Sequence, residues 1–543
     1  MAVSSETAAP ESTSDSEADA GTDAGSGGGA RRARIARFAV LVAVFVCAAC
    51  GLVYELALVA LGSYLVGDTI GQASIVLSLM VFAMGVGALV AKPLQPWAAA
   101  GFAGIELLLA LIGGLSVLLL YAAFAWLSLY LPALIATALV LGLLIGAEIP
   151  LLMVLLQRIR SQDAGSAVAD MFAADYVGGL VGGLAFPFLL LPWFGQIQGA
   201  LVVGMLNAAA GLGLVLTVFR KQLAKRARLL LLAASVLVGG ILVGAYAYAD
   251  DFEVTARQAL YADPVVHAER SQYQDVVLTE NTTLSGSTDT RLFLNGDLQF
   301  SSVDEYRYHE ALVHPAMNGP RGNVLVLGGG DGLAVREILK YPDVRSITLV
   351  DLDPAVLELA RSDPRVRALN HDAMRDPKVH AIAGDAFTWL RTNRTEFDSV
   401  LVDMPDADST ATAKLYSTEF YSLVRHAMTE DARLIVQAGS PYFAPKAYWC
   451  IEATLRSAGL ATTPFEVNVP SFGEWGFHLA TKGSEPPEPE LAPDVPPLKS
   501  LDQQTLDAAA TFPPDRSRVP GMRPSTLMHP TILDYAKGEW INY

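Results

Sequence analysis

Seven long apolar stretches between residues 38 and 249 constrain the fold of this chain more than any other feature. Each is long enough to cross a bilayer as a helix, and they cover residues 38–61, 72–91, 98–124, 131–156, 171–192, 197–219 and 229–249. Since a backbone in lipid must satisfy its own hydrogen bonds, we predict a multi-pass α-helical membrane domain over residues 31–249, with about seven transmembrane helices. The fifth stretch contains Asp175, a Gly-Gly pair and Pro187, so a re-entrant or broken helix stays open there.

The basic residues bear on how such a domain is oriented. They form four groups: Arg31, Arg32, Arg34 and Arg37; Lys92; Arg158 and Arg160; and Arg220, Lys221, Lys225, Arg226 and Arg228. With seven spans, all four groups fall on one side, which the positive-inside rule assigns to the cytoplasm, and residues 250–543 then lie outside. Without the fifth span the C-terminal part is cytoplasmic, but the last basic group lies outside. The sequence leaves both arrangements open.

Polar residues within the apolar stretches need an explanation. Glu55, Glu106 and Glu148 lie in them, and a carboxylate at membrane depth is costly. Two interpretations stay open: a path for cations such as polyamines, or protonated and hydrogen-bonded carboxyls that hold helices together. Cys47 and Cys50 form a C-x-x-C pair, which we interpret as two small residues of an apolar helix rather than as a redox or metal site.

Two segments at the ends of the chain are predicted to lie outside the folded domains. Residues 1–30 hold acidic and small residues without a Lys or Arg, which is typical of a disordered acidic tail. Residues 483–543 begin with a stretch rich in Pro and Glu, and we interpret them as a linker and C-terminal tail. The net charge of −17 argues against nucleic acid as a partner.

A glycine-rich turn between two predicted strands lies in residues 324–353. The strand NVLVL runs into GGGDG at 328–332, the helix LAVREILK follows, and the strand SITLV ends at Asp351. Such glycines let the backbone approach a ligand at a helix N-terminus, and the later acid can accept hydrogen bonds from a ribose. Because Asp331 puts a negative charge where a dinucleotide fold needs room for phosphate, we predict a nucleoside ligand with a cationic arm.

Further strands extend this pattern into an α/β Rossmann-like domain of the S-adenosylmethionine-methyltransferase type over residues 319–482. Before it, the alternating pattern of residues 262–303 predicts a small antiparallel β subdomain with a connecting helix, within residues 250–318. Ligands of open α/β sheets bind at the carboxyl ends of the strands. Five acids are predicted at those ends: Asp331, Asp351, Asp385, Asp403 and Asp406. An edge this acidic favours a polycation over a phosphate ligand.

Residues 262–482 resemble the spermidine synthases, the polyamine aminopropyltransferases. The resemblance rests on motifs in the family's order: YQD at 273–275, LNGDLQ at 294–299, DEYRYHE at 304–310, GGGDG at 328–332, Asp351, GDA at 384–386 and D-x-x-D at 403–406. The apolar part resembles the N-terminal region of the membrane-bound bacterial branch. The resemblance therefore implies a multi-pass protein of the cell membrane, with the lipid bilayer as one partner and a homodimer as a further expectation.

The resemblance also implies an activity, namely transfer of the aminopropyl group of decarboxylated S-adenosylmethionine to a diamine such as putrescine. The products are spermidine and 5'-methylthioadenosine, and no tightly bound cofactor or metal is expected. The residues that would bind the nucleoside co-substrate are Gln274, Gly328, Gly330, Asp331, Asp351, Asp385 and Ala386. Those that would bind the reacting amines are Tyr308, His309, Asp331 and Asp406. Asp403 would be the catalytic base.

The chemistry agrees with such an assignment. An aliphatic amine is mostly protonated at neutral pH, since its pKa is about 10.4 by analogy with lysine, so it must lose a proton before it attacks. A neighbouring carboxylate can take that proton, while other acids hold the far ammonium. The sulfonium is already a good leaving group. An acidic edge also repels the carboxylate of ordinary S-adenosylmethionine.

Two departures from the family pattern bear on the ligands, the first on the nucleoside and the second on the acceptor amine. The run after Asp403 lacks the usual Gly-Pro, which puts one nucleoside contact in doubt. A PTYPSG-like segment usually carries a tyrosine, where this chain has Phe472, and Glu474 adds a carboxylate nearby. Two other functions stay open: a methyltransferase that uses intact S-adenosylmethionine, and a polyamine transporter or sensor whose soluble domain turns over little.

Overall fold

The computed structural model describes residues 26–66, 69–159, 164–284, 286–407 and 409–540. The chain divides into two compact units, Met1–Ala256 and Arg257–Tyr543. Residues 1–25 of the predicted acidic tail and residues 541–543 of the predicted C-terminal tail lie outside the described ranges, as do Arg160 and Asp408. The first helix begins at Ser26, inside the segment predicted as a tail, and Ala and Arg, good helix formers, recur over residues 30–37.

The N-terminal unit is a bundle of long apolar helices. These are α1 (Ser26–Val66), α2 (Thr69–Val90), α3 (Ala98–Ala122), α4 (Tyr130–Ile159), α5 (Ala164–Ala185), α6 (Leu191–Thr217) and α7 (Lys225–Ala247). Turns of 3-10 helix (Lys92–Trp97, Arg220–Gln222) and of π-helix (Ala123–Leu127, Phe186–Leu190) connect some of them. Each predicted apolar stretch coincides with a helix of the described residues.

By length and composition, six helices of the described residues could cross a membrane. The count is lower than seven because the predicted fifth and sixth stretches form one run, Val168–Thr217, of 50 residues. Its length exceeds twice the roughly 20 residues that one crossing needs. Gly195 interrupts it with φ 68° and ψ −170°, which is far from helical geometry. The broken helix that the sequence left open therefore lies after the fifth stretch.

Glycines allow the apolar helices to pack closely. A Cβ atom on Gly146 of α4 would lie 2.0 Å from the carbonyl oxygen of Met84 in α2. A Cβ on Gly182 of α5 would lie 2.4 Å from the carbonyl oxygen of Ala49 in α1. Small residues at such crossings let backbones touch, which is how helices associate where burial of apolar surface gives little driving force.

The C-terminal unit begins with a small antiparallel sheet, as the alternating sequence pattern predicts. Helix α8 (Ala249–Leu260) leads to strands β1 (Val265–Arg270), β2 (Asp275–Thr282), β3 (Thr288–Leu294) and β4 (Asp297–Ser301), which pair in the order β1-β2-β3-β4. The connecting helix α9 (Glu305–Val313) follows. It carries Tyr308 and His309, whose side chains are both buried.

A seven-stranded sheet forms the centre of this unit. Its strands are β5 (Asn323–Gly328), β6 (Ser346–Asp351), β7 (Val379–Ala383), β8 (Phe397–Asp403), β9 (Met428–Gln437), β10 (Ala461–Val469) and β11 (Gly473–Thr481). Their order is β10-β11-β9-β8-β5-β6-β7; β5 to β9 run parallel, and β10 and β11 add an antiparallel hairpin. The predicted Rossmann-like fold is confirmed, and its chain order reverses between β5 and β8.

Helices cover both faces of this sheet. They are α10 (Leu333–Ile338), α11 (Pro354–Ser362), α12 (Pro364–Asn370), α13 (Ala386–Thr392), α14 (Thr410–Ala413), α15 (Thr418–His426), α16 (Pro445–Ser457), α17 (Gln503–Ala509) and α18 (Thr531–Trp540). Along β5, Val324 and Val326 pack into the core on one face, and Leu325 and Leu327 into the core on the other. Because both faces are covered, polar chemistry is confined to the ends of the strands.

The segment predicted as a linker and tail packs against the rest of the C-terminal unit. Leu501 and Leu506 are buried in the core on one face of the sheet, and Ile532 of α18 is buried in the core on the other. The carboxylate of Glu310 accepts hydrogen bonds from the backbone N–H groups of residues 499–501. The Pro-rich composition had suggested a linker, but scattered apolar residues are enough to anchor these turns.

Candidate active site

The glycine-rich turn after β5 brings three strand ends into contact. Gly328 has φ 84°, and a Cβ there would lie 2.0 Å from the carbonyl oxygen of Asp403, at the end of β8. A Cβ on Gly330 would lie 2.6 Å from Oδ2 of Asp351, at the end of β6. Only glycine fits both positions, because the backbone approaches its neighbours too closely for a side chain.

Asp351 is fixed by backbone donors. Its Oδ2 accepts from the N–H of Gly330 at 3.0 Å, and its Oδ1 accepts from the N–H of Asp353 at 2.9 Å. Burial raises its pKa to about 6, against the opposing effect of these two hydrogen bonds. The carboxylate is therefore oriented before any ligand arrives, as recognition of ribose hydroxyls requires.

Asp403 and Tyr308 form the centre of the site. The phenol Oη of Tyr308 donates a short hydrogen bond to Oδ1 of Asp403. Burial raises the pKa of Asp403, whereas the positive charge of His309 and the bond from Tyr308 oppose the rise. Burial and the charge of Asp403 raise the pKa of Tyr308 well above its usual range, so the phenol remains a donor. Asp403 can thus act as a proton acceptor with one oxygen held by Tyr308.

The positive charge of protonated His309 acts on two of the predicted site acids, Asp331 and Asp403. Burial would lower its pKa, but its hydrogen bond to Glu305 and the charges of Glu305 and Asp331 reverse the effect, and the pKa of His309 is raised. Asp331 accepts from the N–H of Leu333, the first residue of α10, at 2.8 Å. Burial raises the pKa of Asp331, and the charge of His309 opposes the rise.

Behind His309 lies a buried ionic network that sequence reasoning missed. Glu305 accepts from Nδ1 of His309 at 2.9 Å and from both terminal nitrogens of Arg336, at 2.8 and 2.9 Å. Burial would raise the pKa of Glu305, but His309 and Arg336 together lower it to about 2. One signal was present in the sequence, since Glu305 and His309 are four residues apart in DEYRYHE and so face the same side of a helix.

Asp406 belongs to a second polar group, around Gln437 at the end of β9. Gln437 donates from Nε2 to Oδ1 of Asp406 at 3.3 Å and to Oη of Tyr416 at 2.9 Å. The indole Nε1 of Trp475 donates to Oε1 of Gln437 at 3.2 Å. Nothing in the local sequence pattern had indicated that Gln437, Tyr416 and Trp475 would meet Asp406, because they come from different parts of the chain.

Aromatic rings line the side of the site formed by residues 470–475. Phe472 lies edge-on to Tyr308 with ring centroids 6.2 Å apart, and 5.2 Å from Trp475. Ser471 fastens the segment, because its N–H and its hydroxyl both donate to Asp304, at 2.7 and 2.9 Å. Glu474 is paired elsewhere: its carboxylate lies 3.8 Å from Arg516 and accepts from Asn468.

The remaining residues predicted to bind the nucleoside lie around the ends of β6 and β7. Asp385 caps α13 by accepting from Thr388 N–H at 2.7 Å, and it pairs with Lys414. Burial would raise the pKa of Asp385, but the bond from Lys414 lowers it. Ala386 follows and is buried. Gln274 lies in a turn held by Ser271, whose hydroxyl donates to Asp353 at 2.7 Å, just beyond Asp351.

Comparison with known proteins identifies the family. The profile of the "Spermine/spermidine synthase domain" matches residues 305–491. "Polyamine aminopropyltransferase 1" of Streptomyces coelicolor is 59% identical over 94% of this chain and 96% of its own length. The chain belongs to the polyamine aminopropyltransferase family. The resemblance predicted from the motifs is therefore confirmed.

The likeness to other polyamine aminopropyltransferases extends beyond the catalytic unit. The "Polyamine aminopropyltransferase" of Mycobacterium tuberculosis is 46% identical over 93% of this chain and 97% of its own length, so the apolar helices are part of the match. A crystal structure of spermidine synthase from Thermotoga maritima is 25% identical, covers 46% of this chain and 84% of its own, and has a TM-score of 0.40. The predicted class of enzyme, an aminopropyltransferase, is confirmed by the family.

Proposed function

We propose that this protein transfers the aminopropyl group of decarboxylated S-adenosylmethionine to a diamine such as putrescine, giving spermidine and 5'-methylthioadenosine. The observation that carries the proposal is the acidic edge at β5, β6 and β8. Asp331, Asp351 and Asp403 lie at the glycine-rich turn, and no Lys or Arg forms an ion pair with them among the described residues. An edge of this kind suits a ligand with several positive charges.

Asp403 is the proposed base. The acceptor ammonium gives a proton to the carboxylate, and the freed lone pair attacks the carbon next to sulfur. The carbon–nitrogen bond forms as the carbon–sulfur bond breaks, and sulfur keeps the electron pair of that bond as a neutral thioether. Since Tyr308 holds one oxygen of Asp403, the proton goes to the other oxygen. Alignment of nitrogen, carbon and sulfur supplies much of the remaining rate.

The donor nucleoside is assigned to the glycine-rich turn. Asp351 would accept from the ribose hydroxyls, and Gly328 and Gly330 would let the backbone approach the nucleoside. Gln274, Asp385 and Ala386 would contact the adenine side, and Asp331 would hold the ammonium of the aminopropyl arm. The fixed orientation of Asp351 and the pairing of Asp385 with Lys414 support this arrangement.

The acceptor is assigned to the aromatic side. Tyr308, Phe472 and Trp475 offer apolar surface for the methylene chain, and Asp406 would hold the far ammonium. His309 would act as a positioning residue, since its positive charge opposes the rise that burial causes in the pKa of Asp331 and of Asp403. With Phe472 in the tyrosine position, the preferred diamine need not be putrescine.

The helical unit would insert the protein into the cell membrane as a multi-pass bundle. Six helices of the part of the chain that the structure describes have the length and composition to cross a bilayer. Large apolar side chains such as Trp193, Leu229 and Val236 are more than two-thirds exposed, which is unfavourable in water but not in lipid. Extraction of membranes with alkaline carbonate tests this insertion. The full-length protein should stay in the membrane fraction, and its release into the soluble fraction would contradict the proposal.

The decisive experiment for the activity uses the purified full-length protein with decarboxylated S-adenosylmethionine and a panel of diamines, followed by mass spectrometry. Methylthioadenosine and an amine heavier by one aminopropyl group are expected with wild type and not with Asp403→Asn. A parallel reaction with ordinary S-adenosylmethionine tests the alternative function, because a methyltransferase would give a methylated amine there and an aminopropyltransferase would not. Nucleoside binding without product from any amine would contradict the proposal.

A further inference from the structure

A cluster of metal-ligating side chains lies inside the helical unit. Cys47 of α1, Glu106 of α3 and Glu148 of α4 each place one ligand atom within 4.8 Å of the other two. All three are buried, and Glu106 has no exposed surface at all. The thiol of Cys47 donates to Oε1 of Glu106 at 3.3 Å. Residues far apart in the chain have therefore brought a sulfur and two carboxylates to one point.

Polar atoms around this cluster lack partners. Among the described residues, Oε2 of Glu106, Oη of Tyr54 and Oδ1 of Asn207 are buried without a hydrogen bond. Tyr54 and Asn207 are each 1% exposed. Asn207 donates to the carbonyl oxygen of Glu106 at 3.5 Å, and the phenol of Tyr54 interacts electrostatically with both Glu106 and Glu148. Buried polar atoms almost always have a partner, so several such atoms at one place favour a site for a polar or ionic ligand.

The spacing of the residues along α1 and α6 places them on the helix faces that form the site. Cys47 and Tyr54 are seven residues apart on α1, and Asn207 and Gly211 are four apart on α6, so each pair faces one side of its helix. A Cβ on Gly211 would lie 2.4 Å from Cγ of Glu106. The side chain of Glu106 therefore occupies space that only a glycine leaves free.

Charge decides what the ligand is. Two carboxylates in an apolar interior repel each other and lose hydration, which is costly unless a cation accompanies them. Within the described part of the helical unit, the ion pairs and hydrogen bonds of Arg37, Arg158 and Arg228 lead to other groups. Neutralisation must come from protons or from a bound cation, and the orphaned oxygens favour the cation.

We propose that Cys47, Glu106 and Glu148 bind a divalent transition-metal ion of the Zn²⁺ type. One thiolate and two carboxylates fall within the ligand set of Zn²⁺, whereas Mg²⁺ and Ca²⁺ take oxygen ligands only. Tyr54 and Asn207 lie where they can complete the coordination shell or bond to a coordinated water. The interpretation of Cys47 as a small helix residue gives way here to a ligand, while Cys50, which donates to Val203, keeps that interpretation.

The test uses the full-length protein in detergent, stripped with a chelator and then reloaded with Zn²⁺ or Co²⁺. We expect about one ion per chain after gel filtration, as for a single structural or catalytic site. The Co²⁺ form should show a sulfur-to-metal charge-transfer band. Cys47→Ser should abolish that band, and Glu106→Gln and Glu148→Gln should each weaken Zn²⁺ binding at least about tenfold, since even outer contacts of metal ligands are worth that much.

Matched controls lie on the same helix. Cys50→Ser and Glu55→Gln remove a thiol and a carboxylate of α1 that are not among the three ligands, and both variants should retain the ion. Gly211→Ala alters no ligand but should weaken metal binding by displacing Glu106. It replaces any ligand variant that does not elute from gel filtration as a folded protein. A wild type without bound metal, or binding unchanged in Glu106→Gln and Gly211→Ala, would overturn the proposal and leave a proton-sharing carboxyl pair.

Discussion

The two units treat buried acids in different ways. In the catalytic unit the protein supplies a partner for each site acid: a phenol for Asp403, backbone N–H groups for Asp351, and His309 with Arg336 for Glu305. In the described part of the helical unit, Glu106 and Glu148 meet a thiol and each other's charge, and buried oxygens without a hydrogen bond lie around them. Acids that must stay ionised at neutral pH are given donors and cations, whereas acids without them must take up a proton or a foreign cation.

The comparison also separates two ways of using charge. Partners built from the chain orient a carboxylate permanently, which suits a group that must meet a passing substrate. In a group of acids without such partners, the charge and the geometry of the carboxylates depend on the proton or cation that binds. The predictions below test whether the acids of the catalytic unit work through the partners that the structure assigns to them.

The largest effect is expected from Asp403→Asn. The amide cannot accept the proton of the attacking amine, so kcat should fall by roughly 10²–10⁴ with little change in the binding of the nucleoside. Steady-state kinetics measures kcat, and a nucleoside-binding assay measures the affinity for the nucleoside. The control is Asp398→Asn at the other end of β8, where the side chain only accepts from the N–H of Asn323. Equal losses in both variants would rule out a specific role for Asp403.

Glu305→Gln should destabilise the catalytic unit strongly. The change leaves the buried guanidinium of Arg336 with Glu337 as its remaining carboxylate and removes the negative partner of His309, and breaking a buried ion pair from one side costs up to about 3–5 kcal/mol. The midpoint of denaturant unfolding of the full-length protein, followed by tryptophan fluorescence, checks it. Asp372→Asn breaks an exposed pair with Arg367 and should leave the midpoint unchanged. A midpoint equally unchanged in Glu305→Gln would show that the network contributes little.

Gly330→Ala should impair use of the donor. The added methyl would lie 2.6 Å from Oδ2 of Asp351 and must displace either the turn or the carboxylate. A displacement of about 1 Å can cost about 10²-fold, and we expect the loss in kcat/KM for the nucleoside donor. Gly384→Ala, near the same edge but with open space around it, should behave like wild type. Normal donor use by Gly330→Ala would show that Asp351 is not needed in this orientation.

Tyr308→Phe should have a smaller effect with a distinct pH signature. Loss of one hydrogen bond to a charged group costs about 1.5–3 kcal/mol, or roughly 10- to 100-fold in rate. Because that bond lowers the pKa of Asp403, its removal should move the acid limb of the kcat/KM profile to higher pH. Tyr306→Phe on the same helix should leave the profile in place. A loss of rate without a shift would mean that Tyr308 acts only through packing.

The smallest effect concerns the dependence of stability on pH. The pKa of His309 is raised in the folded state, so its contribution is complete below its ordinary pKa and disappears as pH rises through the folded value. The pKa of Glu305 is lowered to about 2, so its contribution is present above its ordinary 4.5 and is lost as pH falls towards 2. Thermal unfolding across pH should therefore lose its alkaline decline in His309→Gln, but not in the exposed His426→Gln. An identical decline in both would contradict the ionic role of His309.

Much of the fold was predictable because the relevant patterns are local. Seven apolar stretches predicted the helices of the first unit, and a turn after an apolar strand predicted where Asp351 and Asp403 would project. The features that the sequence did not predict also have a physical reason, because they depend on tertiary packing. Nothing in residues 171–219 alone says whether two apolar stretches are separate helices or one run interrupted at Gly195. Nor does a Pro-rich composition reveal that Leu501 and Leu506 are buried.

The sequence by itself determined the family, the succession of strands and helices along the chain and the acids at the ends of the strands, because each depends on short-range periodicity and on motifs of a few residues. Only the tertiary structure decided what those acids contact. Glu305 meets Arg336 across 31 residues, Asp406 meets Gln437 across 31, and Cys47 meets Glu106 across 59. Such partners are chosen when helices and strands pack, because burial forces each polar group to find whichever donor, acceptor or cation the folded chain brings within reach.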